Sequence, residues 1–199
     1  MTAFVHWRPS CCKPWLACLI AIVMAPLSWP AFGAREDTAF QVVYAESQIV
    51  NKVLRLDAGF DVQFSAQLEE AIDRGVEVEV VIEVSAVRER RFLWNEEVAR
   101  VAQRYRIHYS DLTRRYIVQN LNAGTRFSLP SLAAVTAVIA NLIDFPFLDY
   151  SLLKDNERYL GRLRIGVDIE SLPVPLRLRA YISPAWHMTS QWFTWRLQP

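Results

Sequence analysis

His108 and His187, and the arginines that flank the first of them, are the residues of this 199-residue chain whose types can do chemistry. A zinc site would need both histidines plus a carboxylate. Neither stands in a ligand spacing such as a histidine pair four apart around a glutamate. His108, Ser110 and Asp111 invite comparison with a nucleophile triad. Residues two apart on a strand point the same way but sit ~6.5–7 Å apart along it, too far for the required hydrogen bond. Asp111 is better suited to holding a turn. Glu77, Glu79 and Glu83 form a carboxylate row without the loop spacing that calcium requires, so a solvated strand face is the expectation. Gly59, Gly75, Gly124, Gly161 and Gly166 make no dinucleotide or phosphate-loop pattern. No cofactor is expected.

Arg100, Arg104 and Arg106, with Arg114 and Arg115 beyond a proposed turn, form a local basic patch. As a binding surface (Arg104, Arg106, Arg114, Arg115) it would suit anionic lipid, polysaccharide or an acidic protein. The same arginines would instead pair with the glutamates of residues 76–86 if those strands are neighbours. Trp186, Trp192 and Trp195 are either an aromatic binding cluster or core residues at strand spacing.

Alternation predicts the elements that position these groups. Leu54, Leu56, Ala58, Phe60, Val62 and Phe64 alternate with polar residues and glycine, as in a strand. Ser65 is placed to cap a short helix through Arg74, stopped by Gly75, with Leu68, Ala71 and Ile72 on one face. Residues 76–86 set Val76, Val78, Val80, Ile82, Val84 and Ala86 against the glutamates, which is one dry and one wet face of an antiparallel sheet. Residues 101–109 and 115–121 read as hairpin arms around Ser110–Thr113, and Asn122-Ala123-Gly124 as a further turn. Ser131–Ile143 predicts a helix with almost no polar face, wedged against a sheet or partly exposed to a partner or membrane. Residues 159–170, 176–180 and 193–197 alternate as strands. The expected class is α+β, mostly antiparallel: a sandwich or half-open barrel of about seven or eight strands with two helices packed on it.

The N-terminus has a different logic. Arg8 and Lys13 precede an apolar run from Leu16 to Leu27, and Ala31-Phe32-Gly33 offers small residues for cleavage before Ala34. That layout predicts a signal peptide over residues 1–33 and a single exported domain over 34–199. An uncleaved anchor is the alternative, although Pro26 and Pro30 interrupt the stretch. Lipid attachment at Cys18 fits less well, because Trp15 stands where an aliphatic residue is usual. Cys11, Cys12 and Cys18, the chain's three cysteines, fall in this segment, so the exported domain would have neither disulfide nor thiol nucleophile. The chain carries 22 basic and 21 acidic residues. Without Arg8 and Lys13 the balance is 20 against 21, or −1. Near neutrality argues against nucleic-acid binding.

Residues 71–76 (AIDRGV), 92–97 (FLWNEE) and 105–116 (YRIHYSDLTRRY), with Leu172-Pro173-Val174-Pro175 and the segment Trp186 to Trp195, resemble the exported Gram-negative proteins grouped as domain of unknown function 4390. The most specific piece is Leu112-Thr113-Arg114. The resemblance implies no catalytic residue. It implies a location in the periplasm and a link to envelope sensing, since members are often encoded beside a membrane sensor kinase. The Ser131–Ile143 helix departs from the acidic, alanine-rich helix of the family. The leading expectation is a non-enzymatic periplasmic domain that binds an envelope protein, with peripheral membrane contact as a further surface. The alternatives are a hydrolase using His108 or His187, and a carrier holding an apolar ligand between Phe60, Phe64 and Trp94.

Overall fold

The structure, a computed structural model, describes residues 40–91, 94–154 and 156–197. The expected signal peptide, its boundary at residue 33, and Phe92 and Leu93 of the family-like segment lie outside the described residues.

Two antiparallel sheets form a sandwich. The smaller orders its strands β1-β2-β7, with β1 Phe40–Val50, β2 Val53–Val62 and β7 Asn141–Asp149. The larger orders them β6-β5-β4-β3-β8-β9, with β3 Val78–Arg88, β4 Glu96–Ser110, β5 Arg115–Asn120, β6 Arg126–Leu129, β8 Tyr159–Val167 and β9 Phe193–Leu197. The helices are α1 Ala66–Asp73, α2 Leu132–Ile139 and α3 Val174–Ile182, with short 3-10 turns at Tyr150–Leu152, Ile169–Ser171 and Pro184–Trp186. The class is α+β as expected, and among the described residues there are nine strands, three α-helices where two were expected, and no closed barrel.

The core lies between the sheets. Val78, Val80, Ile82, Val84 and Ala86 are fully buried along one side of β3, the side that alternation assigns. Leu54, Leu56 and Ala58 of β2 and Leu163 and Ile165 of β8 join them. Each such side chain removed from water contributes about 1.5–3 kcal/mol. Trp195 ties the layers together: its Nε1 donates to Ser47 Oγ of β1 at 3.1 Å, and its ring meets Phe147 of β7 edge-on at 6.4 Å. Gln103 also points inward, opposite Ile82 in the register, and its buried Nε2 finds no partner among the described residues.

α1 is built as its sequence predicts. Ser65 Oγ accepts from the Leu68 amide at 3.3 Å and donates to the Ala185 carbonyl at 2.7 Å, so the cap also anchors the turn before β9. Gly75 stops the helix with φ +81°, a conformation that suits glycine. Leu68, Ala71 and Ile72 are the buried face.

Two segments differ from expectation, and β1 with its turn, for which the sequence predicts no element, is irregular. β1 has no clean alternation, because a bulge falls between Val42 and Tyr44. Its hairpin to β2 turns on Asn51 and Lys52, both at positive φ (51° and 65°), without the glycine that usually marks such a turn. The predicted Ser131–Ile143 helix ends at Ile139, and Leu142 and Ile143 belong to β7, where the Ala140 carbonyl accepts from the Phe60 amide at 2.8 Å. The apolar run thus serves a helix and then an edge strand, and Pro146 is tolerated because β7 is at the edge. Within α2, Val135 and Ile139 are buried and alanines take the exposed positions, so this helix is wedged into the core. Residues 176–180, expected as a strand, are helical in α3. Pro175 in the first turn has a φ preorganised for a helix, and five alternating residues are too few to outweigh it.

At the C-terminal end of α1 the Tyr116 hydroxyl donates to Asp73 Oδ1 at 2.6 Å. That bond to a carboxylate, with burial, pushes the phenol up to about 12. In the unfolded chain it titrates near ~10. The folded form therefore holds its proton longer: the stabilisation is complete below pH ~10 and is lost as pH rises towards about 12. Urea midpoints measured across this window should fall less steeply for Tyr116→Phe than for the wild type. Parallel curves would show that the bond does not form in solution.

Candidate functional site

The outer face of the six-stranded sheet, turned away from the smaller sheet, carries most of the predicted chemistry. Strand register brings opposite charges side by side there. Glu79 stands opposite Arg106 and accepts from its Nη2 at 2.9 Å. Glu83 stands opposite Arg164 of β8 and is hydrogen-bonded to its Nε. Arg104 reaches Asp168, just beyond β8, at 2.7 Å and lies 3.7 Å from Glu79. Arg100 pairs with Glu97 at 2.7 Å. The guanidinium groups of Arg162 and Arg164 each lie 4.4 Å from the centre of the Trp192 ring. The side chains of Arg104, Arg106 and Arg164 remain 36–43% exposed, so the face is open to solvent.

In the middle is a shallow depression of about 480 Å³. Val81 and Gly166 lie at its base, and Arg104, Asp168, Arg164 and Glu83 line it. The hydrogen bonds that Arg106 donates to Glu79 raise the pKa of its guanidinium. A second depression of about 870 Å³ lies by Arg88, Arg90, Arg91 and Arg158, where Arg88 and Arg90 donate to Glu96 and hold its carboxyl below the usual range.

The basic patch is therefore divided. Arg104 and Arg106 lie on the sheet face, paired with β3 glutamate and Asp168 as the neighbour-strand reading has it. Arg115 donates to the Ser128 hydroxyl and carbonyl of β6, both at 2.8 Å. Arg114 sits at positive φ in the hairpin turn. Of the tryptophans, Trp186 is buried, Trp195 lies between the sheets and Trp192 joins the arginines, so they make no single cluster. His108 lies on β4 with a buried Nδ1 that finds no partner among the described residues, and His187 is exposed after a short 3-10 turn. Among the described residues neither histidine is hydrogen-bonded to an acid, and no group of three His, Cys, Asp or Glu is placed to hold a metal. Phe60 and Phe64 are buried in the core, whereas Trp94 is 85% exposed, so the three line no common cavity.

Arg164, Asp168 and Trp192 are the members of this face that sequence reasoning did not join to the patch. The outward direction of Arg164 and Asp168 was readable from alternation. Their adjacency to β3 was not, because it depends on a pairing 81 residues apart along the chain.

Residues 37–196 match the family described as a domain of unknown function, DUF4390. The chain belongs to this family. The match begins before β1 and runs to the penultimate residue of β9, so the DUF4390 domain includes both sheets and the whole charged face. No curated protein and no solved structure matches the chain. The roles of residues in this DUF4390 protein therefore rest on its own geometry. Among its described residues no helix is long and apolar enough to cross a membrane.

Proposed function

We propose that this DUF4390 protein is a non-enzymatic accessory domain of the periplasm that binds an envelope protein through the outer face of its six-stranded sheet. The observation that carries the reading is the row of exposed arginines, each already fixed by a β3 glutamate or by Asp168 just beyond β8. Side chains held in place before contact lose less rotational freedom on binding, and a fixed pattern of alternating charge favours the partner with the complementary pattern. The N-terminal segment, with its basic start and apolar run, supports export. The resemblance to proteins encoded beside sensor kinases makes the outer part of such a kinase the first partner to test.

The exchanged pair Glu79→Arg/Arg106→Glu keeps the ion pair while inverting the pattern. A photo-crosslinking amino acid at Thr194, exposed on this face next to Arg162, should yield one protein adduct in the periplasm of living cells. In the exchanged variant that adduct should drop about tenfold or more, the scale of a lost interfacial charge pair. An undiminished adduct, or none from the wild type, would overturn the proposal.

A further inference from the structure

α3 buries little of itself. Ala180 is its buried residue, while Val174, Leu178, Tyr181 and Ile182 are 68%, 67%, 50% and 85% exposed. At 3.6 residues per turn these four side chains fall within about 100° of arc, a continuous apolar stripe directed away from the protein. The nine residues of the helix include no acid. Its two arginines border the stripe, Arg177 on one side and Arg179 on the other. The nearest acid, Glu170, is engaged by Arg177 at 3.6 Å and by the Tyr181 hydroxyl. Among the described residues Arg179 makes no ion pair.

The register puts a second apolar projection at the same end of the sheet. Val78 opens β3 opposite Ile107, and Val167 closes β8 opposite Val80. The β4–β5 turn and α3 therefore both leave the sheet there. At the tip of that turn Leu112 is 95% exposed, two residues before Arg114.

We infer that α3, with the Leu112 turn at the same end of the sheet, docks on the surface of an anionic lipid bilayer. An apolar stripe between two arginines is the chemistry of a helix lying in the interface: the aliphatic side chains enter the acyl boundary, and the Arg179 guanidinium reaches back to the phosphates. Tyrosine suits that depth because its ring is apolar and its hydroxyl is wet. Nine residues reach only about 13 Å, so the helix lies on the membrane and does not span it. A groove on another protein would also accept an apolar stripe, but it gives no reason for cations on both borders and no acid in the helix. This inference does not depend on the charged sheet face.

The test uses the full chain with an environment-sensitive fluorescent amino acid in place of Ile182. The same probe at Ile143, exposed on β7, serves as the reference. Vesicles of phosphatidylglycerol mixed with acyl-brominated phosphatidylcholine should shift the Ile182 probe to the blue and quench it, and should leave the Ile143 probe in water. Arg179→Gln should weaken the binding that the Ile182 probe reports by about fivefold, the effect of one cation near an anionic surface. Circular dichroism should show the same fold in both chains. Equal quenching at the two positions, or no change at Ile182, would overturn the inference. So would a shift produced only by added envelope protein, which would assign the stripe to a protein partner.

Discussion

Gly161→Ala is expected to destabilise this protein by about 1–3 kcal/mol, the range for forcing an extra carbon into a packed site. Gly161 of β8 pairs with Trp195 of β9, and the indole lies across it. A Cβ at Gly161 would sit 2.3 Å from Cε2 and Cζ2 of that ring. The ring cannot slide away freely, because its Nε1 is bonded to Ser47 and its neighbour in the other sheet is Phe147. Moving it would break a contact that joins the two layers. Equilibrium urea unfolding checks the loss, and the double variant checks its cause. Once Trp195→Ala has removed the ring, adding Gly161→Ala should cost almost nothing, a strong departure from additivity. A Gly161→Ala chain as stable as the wild type would show that the ring does not lie across β8.

Ile82→Ala should cost about 2–5 kcal/mol. Ile82 is fully buried at the middle of β3, with Gln103 of β4 on one side and Ile165 of β8 on the other. Cutting it to alanine removes apolar contact and leaves a cavity that two paired strands cannot close by collapsing. Gln103 Nε2, beside that cavity, lacks a partner among the described residues, so a water entering there would gain a hydrogen bond and bring the cost towards the lower end of the range. Ile143→Ala is the control. That side chain is 77% exposed, and its truncation should change stability by less than about 0.5 kcal/mol. A shared m-value with a shifted midpoint would place the Ile82 effect on stability itself. Equal midpoints for the two variants would contradict the assignment of β3 to the centre of the core.

Much of the fold was legible because some segments carry their instructions locally. Ser65 and Gly75 bound α1 through a side-chain cap and a left-handed stop, and both act within one turn of the helix. The valine–glutamate rhythm of β3 and the hairpin of β4 and β5 need only the two-residue period of a strand. Where local signals were weak or mixed, the reading failed. β7 takes up the end of an apolar run that looks helical, and α3 begins with prolines and then alternates like a strand. In β7 the deciding interaction is a ladder with β2, more than 80 residues earlier in the chain.

By itself the sequence determined the kind of protein this is: an antiparallel α+β sandwich with one oily side to each sheet, few groups able to do chemistry, and membership of DUF4390. Only the tertiary structure decided what its arginines meet. Whether Arg104 faces solvent or Asp168, and whether Arg164 lies beside Glu83, depends on which strands are neighbours and in what register. A shift of one residue would turn every such side chain to the opposite face. The exposed stripe of α3 has the same origin. Its leucine and isoleucine look like core residues, and they are outside because the inner faces of both sheets are already filled by each other and by α1 and α2.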